Sequence, residues 1–305
     1  MSLLNLAKRL IVIKRLSEFL SKKTPVWLIS LLDGYIYFND KFYFYLNKLY
    51  VAPSLRQARI LKSYIKNNHT RQIHFEFLLS SLNEKNQLIL DVGGNVGYTS
   101  IYYTNFLSLH CNASCIIFEP IKENIECLYV NTSGMHNVSI MPNGLSNKFD
   151  ELKFGIPQYA HDWSRKNTGL FSYVNVSDSN KLTQSAYVLP LDHFLPVFKV
   201  SKSKLTFVKI DVEGAESDVL LGMTKVTNKY KPIIQFEYNV KTTSLETVND
   251  VLKKYVDMNY KVFTDFPYYK LRVRRFWEFY LIPTEYIPNF KKSPSFDKLF
   301  NIYKF

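Results

Sequence analysis

Glycine is scarce in these 305 residues, at only 10. Where so few glycines cluster, the backbone needs them for a turn or a close approach. Cysteine is scarcer still, with three: Cys111, Cys115 and Cys127. An odd count, with no export signal expected, excludes a disulfide scaffold and points to reduced thiols in a cytoplasmic setting. Cys111 and Cys115 lack the spacing and the second pair of a zinc site, so they read as packed thiols. No run reaches the ~20 apolar residues of a membrane span. The longest candidate, residues 25–38, is broken by Asp33 and Gly34. No period recurs, which removes repeat arrays and coiled coils. Acidic residues are also short, with 26 Asp+Glu against 39 Lys+Arg and a net charge of +13. That excess fits an acidic partner or an anionic surface.

What remains is an ordinary globular balance, 47% apolar and 21% charged, with aromatics high at 16%. The organisation reads in three parts. Residues 1–82 form an aromatic-rich, helical N-terminal region that contacts substrate or partner. Residues 83–290 form the main domain, with an insertion of loops and hairpins at 146–190. Residues 291–305 are a C-terminal tail. Within the first part, Leu3, Leu6, Leu10, Ile13, Leu16 and Leu20 recur at helical spacing among lysines and arginines. Such a helix docks on its own core, or admits peripheral contact with an anionic membrane.

From residue 87 the character changes. The apolar run Gln87–Val92 leads into Gly93-Gly94-Asn95-Val96-Gly97, and Tyr98–Leu109 follows as a helix. This is strand, glycine turn, helix. Further strands are expected at 114–118, 138–141, 205–210, 232–236, 260–264 and 276–282, the last antiparallel. Strands apolar on both faces and alternating with helices predict an α/β fold. The expected form is a mostly parallel sheet of seven strands, covered on both sides. Ligands of such sheets bind at the carboxyl ends of the strands. Four of those ends carry a carboxylate: Asp91, Glu119, Asp211 and Glu237.

The turn is not a dinucleotide fingerprint. Counting from Gly93, the second required glycine falls on Asn95 and the third on Tyr98. A pyrophosphate cradle is therefore absent, which disfavours an NAD dehydrogenase. Glu119 stands about 20 positions past Gly97, where a strand-end carboxylate can accept hydrogen bonds from ribose hydroxyls. Asp91 places negative charge beside the turn and favours a cationic group over a phosphate. A nucleoside that carries a cation and no phosphate describes S-adenosylmethionine.

A second acidic cluster closes the strand at 205–210, in Lys209-Ile210-Asp211-Val212-Glu213-Gly214-Ala215-Glu216. Asp211, Glu213 and Glu237 are the candidates to orient and deprotonate a substrate hydroxyl. The same carboxylates could instead bind a metal, but the hydroxyl role is favoured and no metal is expected. Glu216 reads as a structural charge at a helix start. Lys209 reads either as alternating away from Asp211 or as the partner of a neighbouring carboxylate. His193 and His161 are minor candidates for a base.

The segments DVGGNVGYTS (91–100), FEP (118–120), NTGLFSY (167–173), LPLDHF (189–194), FVKIDVEGAE (207–216) and PIIQFE (232–237) resemble the FkbM family of class I S-adenosylmethionine-dependent methyltransferases. The resemblance covers about residues 85–285. It implies an α/β fold with a Rossmann-like, doubly wound, mostly parallel seven-stranded sheet, and O-methylation, often of a sugar or a natural-product hydroxyl. Carried over by position, it implies that Asp91, Gly93, Asn95 and Gly97 line the methionine part of the cofactor and that Glu119 holds the ribose. Asn143 and Gly144 would lie near the adenine. Gly94 departs from the alanine more usual there, a change expected to be harmless. The acceptor is then a small molecule, a glycan or a lipid-linked sugar. Two alternatives are an RNA methyltransferase and a cofactor-binding module without chemistry. The acidic strand ends argue against both, because they would repel a phosphate backbone and they retain the groups that catalysis needs.

Overall fold

The computed structural model describes residues 35–38, 41–46, 48–66, 71–155, 172–173, 183–194, 203–239, 243–265 and 276–305. The amphipathic N-terminal pattern, His161 and the basic run 270–275 lie outside them. Three antiparallel strands open the described chain: β1 (Ile36–Phe38), β2 (Lys41–Tyr45) and β3 (Leu49–Ala52). The expected helical character of 1–82 does not hold here. In β2, Phe42 and Phe44 are buried while Lys41, Tyr43 and Tyr45 are not. Aromatic residues at a period of two pack as a strand face, and that alternation prevails. Helix holds for α1 (Leu55–Ile65), which Ser54 caps by accepting from the Gln57 N–H, and for α2 (Arg71–Ser80).

The main domain then alternates as expected. β4 (Asn86–Val92), α3 (Tyr98–Ser108), β5 (Asn112–Phe118), α4 (Lys122–Asn131) and β6 (Val138–Met141) lead into the inserted region. That region contributes β7 (Gly144–Leu145), β8 (Asp150–Gly155), β9 (Ser172–Tyr173) and β10 (Thr183–Leu189). They form a separate four-stranded sheet in the order β7-β10-β8-β9. The chain returns through β11 (Lys204–Ile210), α5 (Glu216–Leu221), α6 (Thr224–Tyr230), β12 (Ile233–Asn239), α7 (Leu245–Asp257), β13 (Tyr260–Thr264) and β14 (Phe276–Pro283).

The large sheet runs β15-β13-β14-β12-β11-β4-β5-β6, where β15 is Asn301–Ile302. Seven strands were expected and eight are present among the described residues. The eighth comes from the segment read as a tail, which also carries α9 (Phe296–Leu299) and follows directly on α8 (Ile287–Phe290). Phe296, Phe300 and Tyr303 are buried, so residues 291–305 are integral to the domain. β14 is antiparallel to both β12 and β13, and the strands β6, β5, β4, β11 and β12 are parallel.

Both faces of the sheet are covered. Leu88, Leu90, Val92, Val208, Ile210 and Phe236 belong to one apolar cluster, and Ile89, Cys115, Ile117, Phe207 and Ile233 to the other. This is why the strands read as continuous apolar runs. The strand order matters most for function. From β4 the chain moves outward to β5 and β6, then crosses back to β11 on the other side of β4. The crevice between β4 and β11 is therefore the topological switch point, where the helices on either side diverge and leave room for a ligand.

Candidate cofactor and acceptor site

A cavity of about 570 Å³ opens at that switch point, within the usual size of a small-molecule site. Its floor is Val92, Gly93 and Asn95 from the glycine turn, with Asp211, Val212, Glu213 and Gly214 from the end of β11. Phe118, Glu119 and Asn124 close one side. Leu152, Phe154 and Val188 of the smaller sheet form an apolar wall. The inserted region thus supplies part of the enclosure.

The turn is tied to both neighbouring strands. The N–H groups of Gly93 and Gly94 donate to the Phe118 carbonyl at 2.9 and 3.2 Å. Gly93 has φ +79°, and a Cβ there would lie 2.0 Å from the Asp211 carbonyl oxygen. Only glycine allows this approach. At Gly94 a Cβ would meet Ile117 Cγ2 at 2.2 Å. In this chain Ile117 occupies the space that an alanine methyl would take.

Glu119 is buried at the end of β5. Its Oε2 accepts from the Asn95 N–H at 2.7 Å. Its Oε1 accepts from the Ile121 N–H at 2.9 Å and from Asn124 Nδ2 at 3.2 Å. Three of the four acceptor positions of the carboxylate are taken, so one remains for a ligand hydroxyl. Burial pushes its pKa up to about 7, against the lowering effect of those donors. Glu119 therefore shapes the turn as well as facing the cavity.

Asp91 does not line the cavity. It is 2% exposed and lies beneath the turn, where Oδ2 accepts from Ser100 Oγ and Oδ1 accepts from Lys209 Nζ at 3.1 Å. Lys209 also reaches Asp211 Oδ2 at 3.5 Å. Residues two apart on a strand share a face, so Lys209 does not alternate away from Asp211. Burial alone would lower the Lys209 pKa, but Asp91 and Asp211 hold it above its ordinary value. The negative charge expected beside the turn is thus paired inside the protein, and the carboxylates that line the cavity are Glu119, Asp211 and Glu213, with Asp150 and Asp218 besides.

Glu213 has a left-handed backbone at φ +55°, next to Gly214 at +113°. Burial, then the charges of Asp211, Glu237 and Glu216, raise its pKa to about 8. Left-handed backbone at a non-glycine residue is uncommon and clusters at functional sites. Glu216 accepts from the Gly214 and Val212 N–H groups and so closes the loop structurally. Glu237 does not line the large cavity. It borders a small adjoining pocket with Asp211, Lys209 and Tyr64 and acts on Glu213 through its charge.

Gly144 lines the cavity, whereas Asn143 does not; its amide folds onto the Gly144 carbonyl at 2.9 Å. Gly97, at φ +92°, starts α3 and packs against Leu128 and Ile101. His193 is exposed and also lies off the cavity. Asp211, Glu213 and Glu237 do not assemble as a metal-holding group among the described residues. Two contributors escaped the sequence reading. Asn124 carried a weak signal, since it lies in the first turn of the helix that follows the glutamate of the strand end. Gln57 carried none. Its Nε2 donates to Asn95 Oδ1 at 2.8 Å from a helix remote in the chain.

The Methyltransferase FkbM domain matches residues 91–262, more than half of the chain. The chain belongs to the FkbM methyltransferase family. S-adenosylmethionine, the cofactor expected from the residues, accords with that membership. No curated protein matches the chain. Among solved structures, the FkbM methyltransferase of Methylobacillus flagellatus is 16% identical with a TM-score of 0.42. That match covers 68% of this chain and 47% of the other, so this FkbM-family chain spans about half of that protein. Fibrillarin of Aeropyrum pernix, solved with natively bound S-adenosyl-L-methionine, is 10% identical over 68% of this chain and 73% of its own, with a TM-score of 0.38. An rRNA methylase of Streptococcus thermophilus is 8% identical over 70% and 97%, with a TM-score of 0.40. Among the described residues of the FkbM-family chain, no helix is long and apolar enough to cross a membrane.

Proposed function

We propose that this methyltransferase holds S-adenosylmethionine over the glycine turn and methylates a hydroxyl oxygen of a sugar, glycan or related metabolite, lipid-linked acceptors included. The observation that carries the reading is the sharing of one cavity by Asn95 and Glu119 on one side and Asp211 and Glu213 on the other. Glu119 fits the ribose and Asn95 the amino-acid part of the cofactor, and an acceptor hydroxyl fits the second pair. The pocket also suits the donor chemically. It offers carboxylates to a sulfonium, one open acceptor position on Glu119 to a ribose hydroxyl, and an apolar wall to a base.

When bound, the cofactor supplies an electrophilic methyl, whose bond to sulfur breaks as the bond to the acceptor oxygen forms. The protein aligns the acceptor and removes its proton. Glu213 accepts the hydrogen bond of the reacting hydroxyl and takes its proton, and Asp211 orients the acceptor through another of its hydroxyls. A carboxylate with a pKa near 8 is a stronger base than an ordinary one and matches its task near neutral pH. Glu237 keeps Glu213 basic through charge. Leu152, Phe154 and Val188 exclude water, and holding both reactants in line supplies much of the acceleration. The excess of basic residues favours an acidic acceptor.

Calorimetry with S-adenosylhomocysteine, followed by a screen of sugar and lipid-linked acceptors, tests the reading. Wild type is expected to bind the product and Glu119→Gln to bind it more weakly, by about 1.5–3 kcal/mol. Alanine is the poorer choice at 119, because it strands three donors. Binding without turnover of any hydroxyl acceptor would leave a cofactor-binding module instead.

A further inference from the structure

We propose that Gln57 is a positioning residue of the cofactor turn. It locks the Asn95 amide so that Nδ2 faces the cavity and donates to the carboxylate of the cofactor's amino-acid moiety. The inference rests on the cofactor reading above. It concerns a residue from α1, outside the family-matched residues 91–262.

The geometry is directional. Ser54 Oγ accepts from the Gln57 N–H at 3.2 Å as the helix cap. Its own hydrogen goes to Gln57 Oε1 at 3.1 Å. With Oε1 on Ser54, Nε2 points at Asn95 Oδ1, 2.8 Å away. Gln57 and Ser54 are both 0% exposed, so water does not substitute for either bond. Asn95 must then turn its oxygen toward α1 and its amino group the other way. Its backbone, at φ +51°, is held by the N–H donated to Glu119. Nδ2 makes no hydrogen bond among the described residues. It is also not one of the enclosed polar atoms left without a partner, so it is open to the cavity that Asn95 lines. The site thus presents a fixed pair of donors, which favours an anionic or carbonyl group and disfavours a further cation. Gln57 does not line the cavity, and its effect passes through Asn95.

The test uses the full chain and two thioether nucleosides. S-adenosylhomocysteine carries the carboxylate, and 5′-methylthioadenosine lacks the amino-acid moiety. Gln57→Met is expected to weaken the first about tenfold and to leave the second within about twofold. Asn95→Asp should give the same pattern, and the double variant should be no weaker than Asn95→Asp alone, because the two residues act in series. Should Gln57→Met fail to fold, Gln57→Asn takes its place with the same expectation, since it is one methylene too short to reach Asn95. Equal losses for both nucleosides, additive losses in the double variant, or no loss at all would overturn the proposal. Wild type binding neither nucleoside would instead sink the cofactor reading itself.

Discussion

Lys209 and Asp91 join the two strands that flank the switch point. They stand opposite each other in the parallel pairing of β11 with β4, and Lys209 Nζ donates to Asp91 Oδ1 at 3.1 Å. Both side chains are under 10% exposed. The pair lies directly beneath the glycine turn, so it supports the site from within the protein rather than touching the ligand.

Removing one partner strands the other in a poorly solvated place. Lys209→Met should destabilise the protein by about 3–5 kcal/mol. Adding Asp91→Leu to that variant should recover much of the loss, because no buried charge is then left alone. Chemical unfolding of the two variants checks this, and a single variant as stable as wild type would refute it.

Glu213 makes a prediction about pH. Its conjugate acid is favoured up to about pH 8, and the proposed reaction needs the carboxylate. For the free enzyme, kcat/KM should therefore rise as pH climbs through about 8. With a sulfonium bound nearby, the transition in kcat should fall at lower pH, because a cation favours the charged form. Glu213→Gln should lower kcat by about 10²-fold or more and flatten the profile. A variant that keeps the wild-type profile would remove Glu213 from the role of base.

Gly93 tolerates no side chain. A methyl there would lie 2.0 Å from the Asp211 carbonyl oxygen. Gly93→Ala should push the turn away from β11 and lose S-adenosylhomocysteine binding by tenfold or more, read by calorimetry. Gly134 also has positive φ but has open space around it. Gly134→Ala should cost only stability, about 1 kcal/mol, and leave binding intact.

His74 predicts a pH-dependent stability unrelated to catalysis. It stacks on Tyr280, meets Phe300 edge-on, and its Nε2 lies 3.1 Å from the Leu299 carbonyl oxygen. Burial lowers its pKa below 6.5, outweighing the carbonyl and Asp265, which raise it. The unfolded chain then binds the proton more readily than the folded one, so stability is complete above pH 6.5 and declines as pH falls below it. Melting temperatures of wild type and His74→Phe should diverge in that window, with wild type losing more. Parallel curves would contradict the assignment.

Much of this was legible along the chain. The apolar runs, the glycines after Val92 and the acidic residues at strand ends are local patterns, and each reports a strand, a turn or a cap within a few residues. They announced the α/β sheet and the edge at which the cavity opens. Local patterns also misled where two periods competed. In residues 36–52 an aromatic alternation outweighed the helical expectation, and the segment 291–305 hid the residues that complete the sheet.

Pairing over distance was written nowhere in those patterns. Lys209 meets Asp91 across 118 positions and Gln57 meets Asn95 across 38. Such meetings follow from strand order and from how α1 docks, not from any repeat in the sequence. The sequence by itself determined which residues could carry charge or bend sharply, because these are properties of single side chains and short backbone runs. Only the tertiary structure decided which carboxylates face the cavity and which are neutralised beneath it, because burial and pairing depend on neighbours that the chain brings together by folding.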